Sequence, residues 1–205
     1  GAPAMPPAAP DGAAPAACAP SCTGPARACA AKVVYSAEQL DVLALLFTLV
    51  KVAFVGGALA LTDRLCGLLD APHAASAVEL HTTLVRNEAA YFGCVHQLLS
   101  KPHRPPAIEP RLASSAPLFL CGDSHCLSGA WRRLTLRGEQ RLLHPLLVTG
   151  CKIWHLRPGS TFYPRMQFLA TMRKLPPGAQ VVMLFGEIDC REGLLVAVER
   201  CKYDS

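Results

Sequence analysis

Two short apolar runs do most to limit what this chain can fold into. Pro117-Leu118-Phe119-Leu120-Cys121 breaks off at Gly122-Asp123-Ser124-His125, and Gln180-Val181-Val182-Met183-Leu184-Phe185 breaks off at Gly186-Glu187-Ile188-Asp189. Neither run alternates apolar with polar residues. Each therefore reads as a strand buried on both faces, the habit of parallel sheets covered by helices. Leu146-Leu147-Val148 and Ile153-Trp154-His155-Leu156 are two further strand candidates, and 162–174 reads as a helix leading to the last run. In such sheets binding and catalytic groups collect at the carboxyl ends of the strands. Both glycine-led tetrapeptides fall there.

The rest of the chain divides by composition. Residues 1–31 are almost entirely Ala, Pro, Gly and Cys, which cannot build a core, and they are expected to form a disordered tail. Residues 36–100 read as a helical module. Ser36 with Gln39 three residues on predicts a helix start. The apolar stretch 40–61 is the one membrane-span candidate, but it carries Lys51 at its middle and a Gly56-Gly57 break. A central lysine costs about 2.5–3.5 kcal/mol on insertion scales. Two buried helices broken at the glycines are the expectation. Apolar residues at helical spacing extend the pattern over 75–99, in the manner of a tetratricopeptide-type helical array, a surface that would suit a protein partner. Arg86-Asn87-Glu88 is expected to be a solvated helix face. A Pro-rich linker covers 101–116, which makes 117–205 a separate α/β domain, expected to be truncated at its carboxyl end.

Composition excludes some functions. The chain has 205 residues, 51% of them hydrophobic and 17% charged, so there is material for a core. The net charge of +5 comes from scattered Lys and Arg rather than a basic block, which argues against nucleic acid as a partner. The ten cysteines match no zinc or disulfide pattern, and several lie in apolar runs. That usage leans toward a reducing, cytoplasmic compartment, though no segment assigns one. No cofactor motif is present.

Gly122-Asp123-Ser124 at the end of an apolar strand resembles the first block of the SGNH (GDSL-like) hydrolases, and 185–191 resembles a variant of their third block. His155-Leu156-Arg157-Pro158-Gly159-Ser160 falls where the second block carries its glycine. The resemblance covers about 117–200. It implies an SGNH-like parallel sheet flanked by helices, and a serine hydrolase acting on an ester, of which an O-acyl glycan is one type. It makes Ser124 the nucleophile beside Asp123, with the N–H groups of Ser124 and Gly159 toward the oxyanion. His125, Gly186, Glu187, Asp189 and Arg191 would line the pocket. The sequence departs from the family in two places. Ile188 stands where the third block has Asn, and no Asp-x-x-His follows Asp189 to supply the base. A serine hydroxyl is a poor nucleophile until a base takes its proton.

Other readings follow from the same residues. His125 adjoins Ser124, and neighbours at a helix start do not face each other, so it is expected to line the pocket rather than act as base. Glu187 and Asp189 can simply cap a helix, with Arg191 pairing one of them. A hydrolase-like scaffold without catalysis is the first alternative. A metal-dependent phosphoesterase built on Asp123, His125, Glu187 and Asp189 is the second, although the remaining metal motifs of such enzymes do not occur.

Overall fold

The computed structural model describes residues 32–100, 105 and 117–201. The tail expected over 1–31, and all of the expected linker except Pro105, lie outside them. Helix α1, Ala37–Val55, opens on a capping box: the Ser36 hydroxyl accepts from the Gln39 N–H at 3.3 Å, and the Gln39 Oε1 accepts from the Ser36 N–H at 2.9 Å. It ends at Gly56. Gly57, with φ of 80°, turns the chain into α2, Leu59–Ala75. The apolar stretch 40–61 is thus divided, and no helix among the described residues is long and apolar enough to cross a membrane. The helix expected over 75–99 is shorter. A 3-10 turn, Leu80–Thr82, precedes α3, Arg86–Leu99. The Thr83 hydroxyl explains the interruption: it donates to Leu80 O at 2.7 Å and accepts from the Val85 N–H at 3.3 Å, offering the backbone an alternative to the helical ladder.

The sheet has four strands: β1 Leu118–Gly122, β2 Arg133–Leu136, β3 Glu139–Leu147 and β4 Gln180–Leu184, in the order β2-β3-β1-β4. β1 is central and pairs in parallel on both sides, Gly122 lying opposite Leu147 of β3 and Leu184 of β4. The sheet is mixed rather than wholly parallel, because β2 and β3 form an antiparallel hairpin. Its turn is Arg137-Gly138, with φ of 53° and 82°. Two other expectations need correction. Residues 153–156 are not a strand but a 3-10 turn, Ile153–Leu156. The Asp189 carboxylate accepts from the N–H groups of Ile153 and Trp154, at 2.7 and 3.1 Å, and so takes the donors a strand would have turned to a neighbour. β4 is not buried: it is an edge strand, with Val182, Met183 and Leu184 between 40% and 51% exposed. Helix α4, Tyr163–Arg173, carries the crossover to β4, and a π-turn, Asp189–Leu194, leads into α5, Leu195–Cys201.

The helices and the sheet are one compact unit. Phe47, Val50, Phe54, Phe92 and Val95 from α1 and α3 share a single hydrophobic cluster with Leu120, Leu127, Ala130, Trp131 and Leu142. Trp131 ties the two parts together. Its backbone is left-handed, with φ of 61°, and its N–H donates to Leu143 O at 2.9 Å. Its indole Nε1–H donates at 2.6 Å to Phe54 O near the end of α1, a carbonyl that also accepts from the Gly57 N–H at 3.0 Å. A smaller cluster of Cys121, Val148 and Cys151 is covered by Phe168, Met172 and Phe185 on the other face.

Candidate functional site

The site begins where β1 ends. Sequence alone suggests that Gly122 is there to make a tight turn, but its requirement is space. A Cβ at Gly122 would stand 2.4 Å from Leu184 O of β4 and 3.0 Å from the Cys126 Cβ. Only glycine lets β4 approach the start of the next element so closely. That element is a 3-10 helix, Ser124–Gly129, capped by Asp123. Asp123 is 1% exposed. Its Oδ1 accepts from the His125 N–H at 2.9 Å and meets the His125 ring Nδ1 at 2.8 Å. Its Oδ2 is buried and has no hydrogen-bond partner among the described residues.

His125 is held from both ring nitrogens. Beyond Asp123 on Nδ1, the Glu187 Oε2 lies 3.4 Å from Nε2, and the Glu187 Oε1 lies 3.2 Å from the Arg191 Nε. Asp123, His125, Glu187 and Arg191 thus form a chain of polar contacts from the end of β1 to the end of β4. Arg191 pairs with Glu187, four residues before it.

Ser124 and His125 lie in a cleft of about 820 Å³. Thr149 and Gly150, at the exit of β3, continue the wall beside them, with Tyr163 from α4 and Arg191. The opposite wall comes from the helices: Lys51 of α1, and Asn87, Glu88 and Tyr91 of α3. Asn87 is exposed and Glu88 half-buried, as expected of a solvated helix face, and both also line the cleft. The Lys51 Nζ stands 4.4 Å from the centre of the Tyr91 ring. Burial holds the Tyr91 phenol above its ordinary value. Beneath the site lie three buried thiols. Burial pushes Cys126 up to about 12, and Cys121 and Cys151 up to about 11, so none is a thiolate near neutral pH.

The remaining predicted residues are elsewhere. Gly159 sits on an exposed turn, with φ of 79° and open space where a Cβ would be, and it does not line the cleft. Gly186 and Asp189 line a separate hollow with Trp154, Arg157 and Leu194. Asp189 is a cap, though for 153–156 rather than for the helix that follows it. His155 is a structural histidine, its Nδ1 accepting from the Lys152 N–H at 3.1 Å and its ring set edge-on to Phe162. Asp123 and Glu187 approach opposite nitrogens of one imidazole, an arrangement that does not point them at a common ion. Among the described residues no three His, Cys, Asp or Glu side chains are grouped to hold a metal.

Lys51, Tyr91, Thr149, Gly150 and Tyr163 are cleft residues that sequence reasoning did not assign. Lys51 carried the one available signal, a charge in the middle of an apolar helix. No family model, curated protein or solved structure matches the chain.

Proposed function

We propose that the chain is a serine-type ester hydrolase or acyltransferase working from the cleft at the carboxyl end of β1. The observation that carries this reading is the setting of Ser124: it follows a buried capping aspartate at the end of a central parallel strand, and it opens into a cleft beside an oriented histidine. The resemblance to SGNH hydrolases in Gly122-Asp123-Ser124 supports the same role. The Ser124 Oγ would attack the ester carbonyl and give its proton to a base. The alcohol would leave protonated, and water or a second alcohol would then release the acyl group. The resemblance gives one oxyanion contact to Gly159. Gly150 is the glycine that lines the cleft, and we assign that contact to it. Asn87, Glu88, Thr149 and the two tyrosines offer donors and acceptors suited to a hydroxylated alcohol such as a sugar.

A second reading, a binding cleft without catalysis, is favoured by one observation. Among the described residues the Ser124 hydroxyl has no hydrogen-bond partner, and the adjacent His125 has a carboxylate at each ring nitrogen.

Fluorophosphonate labelling separates the two. On the first reading Ser124 labels, Ser124→Ala abolishes the labelling, and ester hydrolysis falls by up to about a millionfold. EDTA has no effect. Labelling that survives Ser124→Ala, or hydrolysis lost to EDTA, sinks the serine mechanism. An unlabelled, folded protein supports the binding reading.

A further inference from the structure

We infer that the ester bound in this cleft carries a free carboxylate, and that Lys51 holds it; this deepens, and rests on, the reading of Ser124 as the site of acyl transfer. The chemical class is a half-ester of a dicarboxylic acid or an ester of an acidic sugar.

The argument starts from where Lys51 stands. It follows fully buried Val50 in α1, between Phe47 and Phe54, which are also fully buried, so its backbone is set by the core. Its side chain rises into the cleft that contains Ser124 and rests over the Tyr91 ring. A cation over an aromatic face gains about 0.5–2 kcal/mol. The contact orients the ammonium without supplying an acceptor for its three donors. Among the described residues Lys51 forms no ion pair. Tyr91 supplies no countercharge, because burial keeps the phenol protonated at neutral pH. The cleft's other cation, Arg191, is engaged by Glu187. Glu88 lines the cleft too and makes no ion pair with Lys51. An ammonium that is oriented, partly enclosed and short of acceptors suits a carboxylate, which takes strong charge-assisted hydrogen bonds from it.

The test is calorimetric titration of the whole chain with monomethyl succinate, which is anionic, and with dimethyl succinate, which is not. The monoester should bind the unmodified protein and Ser124→Ala alike. Lys51→Met should weaken it by about tenfold or more, the span of a charge-assisted hydrogen bond. Lys51→Arg should hold it within about threefold, since the charge is kept. Dimethyl succinate should be indifferent to Lys51→Met, and added salt should weaken the monoester alone. Monoester binding unchanged in Lys51→Met, equal affinity for the two esters, or no monoester binding overturns the inference. Should Lys51→Met fail to fold, the ester comparison and its salt dependence on the unmodified protein decide the matter. Failure of the underlying reading looks different: binding that depends on Lys51 persists while Ser124 does not label.

Discussion

Asp123 is almost fully buried, yet only one of its carboxylate oxygens finds a partner among the described residues. That oxygen caps the 3-10 helix after β1 and orients the His125 ring. Asp123→Ala would remove both contacts and is expected to cost about 1–3 kcal/mol in urea unfolding, a cap and a buried hydrogen bond together. Asp123→Asn keeps an acceptor oxygen and should cost less. Equal losses would show that capping is not what the side chain contributes. The same geometry explains why His125 was hard to place from sequence. Adjacency to Ser124 is visible there, but which groups take each ring nitrogen depends on Glu187, a residue from another strand's end.

At the scale of elements, the packing of β1 against β4 depends on one missing methyl group. Gly122→Ala would drive a Cβ into Leu184 O, a backbone atom that cannot rotate away. The expected loss is about 1–3 kcal/mol, with weaker labelling of Ser124 as its strand is displaced. Gly67 is the control. It lies within α2 with nothing near its absent Cβ, so Gly67→Ala should stabilise by about 0.5–1 kcal/mol. Thermal unfolding of the two variants checks both signs. Elements specified locally were legible in the sequence: the Ser36 cap, the Gly56-Gly57 break, β1 and α4. Elements specified at a distance were not. Ile153–Leu156 has the residues of a strand and becomes a 3-10 turn because Asp189, far along the chain, binds its N–H groups. β2, Arg133-Leu134-Thr135-Leu136, does alternate polar with apolar residues, but it is only four residues long and is joined by a turn that holds Arg137, not a second glycine, in a left-handed conformation. The helical wall of the cleft was invisible for the same reason, since nothing near Lys51 or Tyr91 in sequence announces Ser124.

Across the whole molecule, the shared cluster and the Trp131 bond make the helices and the sheet mutually dependent. Unfolding is expected to be a single transition, with far-ultraviolet circular dichroism and tryptophan fluorescence coinciding. Trp131→Phe keeps an aromatic ring but abandons Phe54 O, and should lower stability by about 1–2 kcal/mol when unfolding is followed by circular dichroism. Separate transitions for helix and fluorescence would show instead that the helices and the sheet unfold independently. The cleft straddles this seam, with Lys51 and Tyr91 on one bank and Ser124 and Thr149 on the other. Whatever lodges there is therefore a fastener as well as a guest. By mass action a molecule at a hundred times its Kd adds about 2.7 kcal/mol to the folded state. Here that increment would fall on the joint between α1, α3 and the sheet, so occupancy and cohesion of this protein rise together.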